Sequence, residues 1–260
     1  MTAHSHTIRA HSFNSAAAQY AANRPSYPPA LFDAIEETAG RPLTGARVAD
    51  VGAGTGIATA LLHARGATVL AVEPGAGMAA QFRRALPGVP IVRGDGNHLP
   101  LAGASLDFLT YAQSWHWTDP ARSVPEALRV LRPGGALALW WNAAALDVPW
   151  IDAQTDRVHR HFGTEPLGTE PLGRNGDGTH TALATAGDRF DFARRRIRWS
   201  RRVPLDTHLA NIGSHSVFLV HGERSTAAFL AEERRHLLAV FPDGEVEETY
   251  DAALLLATRP

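Results

Sequence analysis

The sequence of 260 residues contains no cysteine and no lysine, and each absence excludes whole classes of function. Without cysteine there are no disulfides, thiolate nucleophiles, iron–sulfur clusters or thiolate zinc sites. Without lysine there is neither a Schiff-base lysine nor the lysine of a Walker phosphate-binding loop. All 25 basic residues are therefore arginine.

The sequence also has little net charge and no long apolar run. The formal net charge is −1, which gives no general reason to expect nucleic acid or an anionic membrane as a partner. The opening MTAHSHTIRAHSF lacks the apolar core of a signal peptide, and no apolar run reaches the length of a membrane span. No histidine pair has the i, i+4 spacing of a helical metal site. We therefore expect a cytoplasmic protein, a monomer or homodimer, with a small-molecule substrate and no metal.

Strand and helix patterns alternate strictly between Ala46 and Asn142. Near-continuous apolar strands that alternate with helices predict a parallel sheet covered on both faces. The fold class is therefore α/β, with a doubly wound, Rossmann-like sheet. The predicted strands are ARVADVG, ATVLAVE, VPIVRGD, LDFLTYAQS and ALALWWN, the last following a turn at RPGG.

The second half of the chain is less regular. LDVPWIDAQTDRVHRHF predicts a helix with Asp147 as its N-cap and Ile151, Val158 and Phe162 on one face. The Gly- and Pro-rich GTEPLGTEPLG predicts a loop, and FDFARRRIRWSRRV and TYDAALLLATRP predict strands around further helices. This organisation predicts a core over residues 1–142, a helical cap and loop over 143–190, and a segment over 191–260 that completes the sheet and the substrate side.

A glycine turn, Gly52-Ala-Gly54-Thr-Gly56, joins the first strand to a helix. A dinucleotide fingerprint would need glycine at position 57, where this chain has isoleucine, so the NAD interpretation weakens. Asp50, two residues before the turn, would repel a pyrophosphate but would attract an ammonium group. The turn therefore favours a ligand that carries a positive charge and no phosphate.

Two further carboxylates follow the next two strands. Glu73 can accept hydrogen bonds from two ribose hydroxyls, and Asp95, next to Gly96, can accept one from the exocyclic amine of adenine. Met78 can pack on the adenine, although a methionine of the helix core would have the same pattern. Ammonium, ribose and adenine without phosphate together describe S-adenosylmethionine.

The motifs VADVGAGTG, VEP, GDGNHLP, LDFLTYAQSWHWTD and EALRVLRPGGALALWWN resemble, in order and spacing, those of class I S-adenosylmethionine-dependent methyltransferases. YAANRPSYPPAL and SWHW are similar to the branch around trans-aconitate methyltransferase and related small-molecule enzymes. The resemblance implies a seven-stranded sheet whose last strand is antiparallel. It also implies that Tyr20 and Arg24 lie on a segment that folds over the cofactor, where Arg24 pairs with a carboxylate or bonds loop carbonyls.

The end of the fourth predicted strand supplies the candidate acceptor side of the site. Ser114 and Trp115 are expected near the methionine part of the cofactor, because ligands of open α/β sheets lie beyond the carboxyl ends of strands. His116 is the candidate catalytic residue, which orients or deprotonates the acceptor, or only bonds backbone. Alternation sends Trp140 and Trp141 to opposite faces, so one of them is expected in the core. The other predicted substrate-binding residues are Trp117, Trp141, Asn142 and His215.

The sequence therefore predicts a methyltransferase acting on a small molecule of secondary metabolism, with a carboxylate oxygen as the acceptor implied by the resemblance. Transfer to nitrogen, carbon or a hydroxyl remains open, because this fold supports all of them. A protein that binds or uses the cofactor without methylation is the alternative of a different class. The arginine run RRRIRWSRR is interpreted as a solvated strand face rather than a nucleic-acid surface.

Overall fold

The computed structural model describes residues 23–163 and 190–260. The candidate residue Tyr20 lies outside this part, as does the loop predicted at GTEPLGTEPLG (163–173) apart from Gly163. The described helices are α1 (Pro29–Ala39), α2 (Ile57–Ala64), α3 (Ala76–Ala85), α4 (Pro120–Val130), α5 (Pro149–Phe162), α6 (Leu205–Gly213), α7 (Ser216–His221) and α8 (Glu223–Val240), with a 3₁₀ turn at Trp115–Trp117.

One seven-stranded sheet has the order β3-β2-β1-β4-β5-β7-β6. Strands β1 to β5 pair in parallel, whereas β7 lies antiparallel between β5 and β6. The doubly wound, Rossmann-like α/β fold with its antiparallel last strand is therefore confirmed. The strands are β1 (Arg47–Val51), β2 (Thr68–Val72), β3 (Ile91–Val92), β4 (Leu106–Ala112), β5 (Leu131–Ala144), β6 (Ala193–Pro204) and β7 (Glu245–Thr258).

Each face of the sheet is covered by its own buried cluster. Helix α1 packs Phe32 on the face that carries Trp140, whereas α4 packs Val124 on the face that carries Trp141. Both tryptophans are buried, with exposed fractions of 0% and 2%. We predicted that one of the two tryptophans lies in the core, but both do. Period-2 alternation places one ring on each face of the sheet, and both faces are buried.

A third buried cluster lies beside the sheet. It joins Val158 and Phe162 of α5 to Leu209 of α6 and Phe229 of α8. The predicted apolar face of α5 is confirmed, since Ile151 is buried as well. Helices on both sides of residues 164–189 thus share one core, so the predicted cap packs as a unit with part of the 191–260 segment.

Three predicted boundaries differ from the structure. Asp147 is not the N-cap of α5: Val148 occupies that position, and the Asp147 carboxylate pairs with Arg198 at 2.7 Å. Strand β3 spans only two residues, because the chain leaves the sheet edge after Val92. Strand β5 begins before the predicted turn RPGG, which forms an irregularity in the register opposite Leu106–Phe108 instead of ending the pairing.

The arginine run of β6 agrees with its interpretation as a solvated face. Arg194, Arg195 and Arg196 are exposed, whereas Val203 at the end of the strand is buried. Strand β6 is also the edge of the sheet, where exposed charge opposes pairing with another chain.

Candidate functional site

The glycine turn lies at the carboxyl end of β1, in the centre of the sheet. Gly52 and Gly54 both have positive φ, of 68° and 57°. A Cβ on Gly52 would meet Ser114 Cβ at 2.5 Å, so this glycine lets the segment after β4 approach the turn. A Cβ on Gly54 would meet nothing within 4 Å. The turn therefore has a packed side and an open side, and the open side can accept a ligand.

Glu73 lies beside the open side of the turn. Its Oε2 accepts a hydrogen bond from Gly54 N at 2.8 Å, and its Oε1 accepts one from Gly75 N at 2.6 Å. The side chain is buried, and burial raises the pKa of the carboxyl, although these two hydrogen bonds oppose the rise. The two N–H groups hold the carboxylate in one orientation, and each oxygen keeps a further lone pair for a ligand hydroxyl.

Asp50 has no accessible surface. Thr59 of α2 donates to its Oδ2 at 2.5 Å, and Thr110 of β4 donates to its Oδ1 at 3.2 Å. Burial raises the pKa of Asp50 to about 6 against the hydrogen bonds from the two threonines. In this arrangement Asp50 ties α2 and β4 to the end of β1, and its attraction for an ammonium group remains a prediction. No local pattern in the sequence indicates the two threonine partners.

The turn after β3 carries Asp95 and Gly96. Asp95 is exposed, and its Oδ1 accepts from Asn97 N at 2.7 Å. Gly96 is buried, and a Cβ there would lie 2.8 Å from Thr118 and 2.9 Å from Tyr111. The turn thus presents Asp95 to solvent. Only glycine fits at position 96, because Thr118 and Tyr111 pack too close to it for a Cβ. Its contact with an adenine amine remains a prediction.

Ser114 and Trp115 hold the segment after β4 against the turn. Ser114 Oγ donates to the carbonyl of Val51 at 2.5 Å. Trp115 is 2% exposed and packs edge to face on Tyr111 at a centroid distance of 4.7 Å. These contacts indicate a supporting role for both side chains. The indole nitrogen of Trp115 and the hydroxyl of Tyr111 are buried without a hydrogen-bond partner among the described residues.

Arg24 and Met78 are two further predicted cofactor-binding residues. The Arg24 guanidinium donates to the carbonyl of Ser214 at 3.3 Å, which ties the N-terminal segment to the end of α6. We expected Arg24 either to pair with a carboxylate or to donate to a backbone carbonyl. The structure shows a hydrogen bond to a carbonyl, and its residue is distant in the sequence. Met78 is buried on α3. Its packing on adenine remains a prediction.

His116 lies on the 3₁₀ turn and contacts Trp141 from the neighbouring strand. Trp141 Nε1 donates to His116 Nδ1 at 3.3 Å. Because an indole nitrogen can only donate, Nδ1 is the acceptor and the ring proton of neutral His116 lies on Nε2. The Trp117 ring lies beside the imidazole, at a centroid distance of 4.6 Å. Trp141 itself is buried, so it acts on His116 and does not form an open wall for a substrate.

A cavity of about 100 Å³ lies at the carboxyl end of β5, and Asn142 and His215 contribute to its walls; that they bind a substrate there remains a prediction. Asn142 is fixed by two contacts: Nδ2 donates to the Ser26 carbonyl at 3.0 Å, and Oδ1 accepts from Trp199 at 3.0 Å. Burial, and then the charge of Arg24, hold the pKa of His215 well below its usual range. The cavity therefore presents a neutral imidazole.

Sequence reasoning did not group the buried polar chain whose Gln154, His208 and Glu248 also line this cavity. Glu248 accepts from His208 Nδ1 at 2.7 Å and from Arg201 at 2.5 Å. His208 Nε2 contacts the amide nitrogen of Gln154 at 2.9 Å, and that nitrogen also donates to Glu233 at 2.9 Å. These residues come from five different elements, so no local motif could have grouped them.

Comparison with known proteins identifies the family. Residues 49–139 match the family model described as a methyltransferase domain. An uncharacterized methyltransferase of Mycobacterium tuberculosis is 34% identical over 231 residues, which cover 89% of this chain and 87% of that protein. The chain is a class I S-adenosylmethionine-dependent methyltransferase.

Two further comparisons agree with this assignment. A solved structure from Anaeromyxobacter dehalogenans, assigned as a type II methyltransferase, is 29% identical with a TM-score of 0.65, covering 91% of this methyltransferase and 96% of that chain. The demethylmenaquinone methyltransferase of Beutenbergia cavernae is 38% identical over 96 residues, which cover 36% of this chain and 40% of that protein. The last similarity is thus confined to a part of the chain.

The geometry fits the cofactor of this family. The open side of the turn leaves room next to Gly54, and Glu73 is oriented to accept from hydroxyls there. The two buried carboxylates, Asp50 and Glu73, favour a ligand that carries positive charge. The described residues contain no group of acidic and histidine side chains that could hold a metal ion, and none of their helices is long and apolar enough to cross a membrane.

Proposed function

We propose that this methyltransferase transfers a methyl group to a carboxylate oxygen of a small molecule of secondary metabolism, in the cytoplasm, as a monomer or homodimer. The observation that carries the proposal is the hydrogen bond from Trp141 Nε1 to His116 Nδ1. It assigns the ring proton of neutral His116 to Nε2, so the imidazole can offer the acceptor a donor and not a base.

A carboxylate suits such a site because it is already deprotonated at neutral pH. The bound cofactor supplies an electrophilic methyl group on a sulfonium. What the chain must contribute is alignment of the attacking oxygen and exclusion of water. His116 Nε2–H donates to one carboxylate oxygen and thereby directs the other toward the methyl group. A hydroxyl acceptor would instead need a group that removes its proton.

Charges around the acceptor side support an anionic substrate. Arg24 lies close enough to His215 to lower its pKa, which places a guanidinium near the cavity. The negative charge of Glu248 is balanced by Arg201. An incoming carboxylate is therefore attracted by Arg24, and at the cavity wall the charge of Glu248 is already balanced by Arg201.

The proposal is tested by the pH dependence of transfer to a panel of small carboxylic acids. With His116→Phe we expect a lower kcat but a flat pH–rate profile between about pH 6 and 9, as in the wild type, because no group titrating there removes a proton. Trp141→Phe is the matched variant, because it keeps His116 but removes the donor to Nδ1 together with part of a buried ring. A wild-type rate that rises with a pKa near that of histidine, and loses this dependence in His116→Phe, would favour base-assisted transfer to a hydroxyl, nitrogen or carbon. Cofactor binding without any transfer would favour the non-methylating alternative.

A further inference from the structure

One wall of the cavity at the carboxyl end of β5 carries a buried acceptor atom. Asn211 is 2% exposed and lines the cavity, and its Oδ1 has no hydrogen-bond partner among the described residues. Buried polar atoms of proteins nearly always have partners, because an unpaired one forfeits its hydration without compensation. An orphaned acceptor at a cavity wall therefore points to a ligand that donates a hydrogen bond.

The orientation of the Asn211 amide is fixed. Its Nδ2 donates to Glu248 Oε1 and to Tyr250 Oη, both at 3.2 Å. Burial alone would raise the pKa of Glu248, but the hydrogen bonds and charges of His208 and Arg201 lower it to about 2. Glu248 is thus a carboxylate, which can only accept. A flipped amide would turn Oδ1 toward that carboxylate, so Oδ1 keeps its place.

Helix and strand periodicity explain why these groups meet. His208 and Asn211 are three residues apart on α6 and share one helix face. Glu248 and Tyr250 are two residues apart on β7 and share one face of the sheet. His208 is already engaged by Gln154 and Glu248. The buried chain therefore holds Asn211 in place and leaves its Oδ1 as the unpaired acceptor.

Most of the accessible wall surface is apolar, although Gln154, His208 and Glu248 also line the cavity. Ile151 and Val158 of α5, Ile212 of α6, and Ala144 at the end of β5 line the cavity together with Trp150. An apolar cavity of about 150 Å³ is known to bind benzene, and this cavity of about 100 Å³ is partly open, so it can enclose a compact branched group or one side of a ring whose other side lies at its mouth. Such walls favour an apolar group that carries a single polar substituent.

We propose that this cavity binds the part of the acceptor molecule remote from its methylated carboxylate, and that Asn211 Oδ1 selects a hydroxyl or N–H donor on that part. The substrate class is then a hydroxy- or amino-substituted aromatic or branched carboxylic acid. The carboxylate half of this description rests on the proposed function. The donor-bearing half rests on the cavity and Asn211 alone.

The test compares phenol with toluene, which match closely in shape and differ in the donor. Each is titrated by NMR into the protein saturated with S-adenosylhomocysteine. Wild type is expected to bind phenol about three- to tenfold more tightly than toluene, the range of one net hydrogen bond. Asn211→Leu removes the acceptor at similar volume and should abolish the preference. Ala144→Leu adds bulk to a partly exposed wall position and should weaken the binding of both compounds.

Equal affinities of wild type for phenol and toluene would overturn the proposal, even if Asn211→Leu did not fold. A preference that survives in Asn211→Leu, or no binding of either compound because the cavity holds only water, would overturn it as well. None of these measurements involves methyl transfer. A cavity selective for phenol in an enzyme that forms no methyl ester would contradict the proposed function and leave this inference standing.

Discussion

Replacing Asp50 by asparagine is expected to stabilise the ligand-free protein at neutral pH. Asp50 has no accessible surface, and burial raises its pKa from 3.8 to about 6. The folded state therefore binds more protons than the unfolded state between these two values, so the wild type loses stability as pH rises through this window. At about 1.36 kcal/mol per pKa unit, the full cost above pH 6 is up to about 3 kcal/mol. Asparagine stays neutral and avoids it.

The assay is urea unfolding of wild type and Asp50→Asn at several pH values from 4 to 8 without ligand. We expect the variant to gain about 1–3 kcal/mol over the wild type at pH 7 to 8, and the gain to shrink toward pH 4. Thr59→Val is the matched variant: without the hydrogen bond to Asp50 Oδ2, its deficit should grow as pH rises. A stability difference between Asp50→Asn and wild type that stays constant across this range would refute the reasoning.

Other predictions concern the cofactor side. Glu73→Ala is expected to weaken S-adenosylhomocysteine binding by about 1–3 kcal/mol, because hydrogen bonds to a charged acceptor are lost; calorimetry with an unchanged Kd in a folded variant would remove Glu73 from the site. Gly52→Ala should lower the free energy of unfolding by more than about 2 kcal/mol, because its Cβ would meet Ser114 at 2.5 Å in a left-handed conformation. Gly54→Ala, whose Cβ points into open space, should cost only about 1 kcal/mol of stability yet weaken cofactor binding more than Gly52→Ala does in the folded fraction. The reverse order of effects, measured by thermal unfolding and calorimetry, would contradict the two-sided description of the turn.

The part of the fold that could be predicted is the part with local signals. Gly40 caps the end of α1, and Gly56 precedes the start of α2. Both have positive φ, a conformation that glycine adopts without strain. Apolar runs and period-2 alternation located the strands, including the opposite faces of Trp140 and Trp141. What local pattern could not show is that both rings are buried, since that depends on which helices cover each face.

The candidate site was predictable only in outline. Glu73 and Gly54 were placed together because both lie at the carboxyl ends of neighbouring strands, and the structure joins them by a hydrogen bond of 2.8 Å. The threonines that enclose Asp50, and the tryptophan that sets the tautomer of His116, are tertiary partners. Their roles depend on distances between elements far apart in the chain, and no spacing in the sequence encodes these distances.

The kind of bond that the transferred methyl group forms in the product tests the central claim most directly. The enzyme is incubated with S-adenosylmethionine labelled in the methyl group and a panel of hydroxy- or amino-substituted carboxylic acids, and the products are treated with mild alkali. The account predicts that the label is released as volatile methanol, because a methyl ester is hydrolysed under these conditions. Label that stays bound to an alkali-stable product, as in a methyl ether, a methylamine or a methylated carbon, would contradict it.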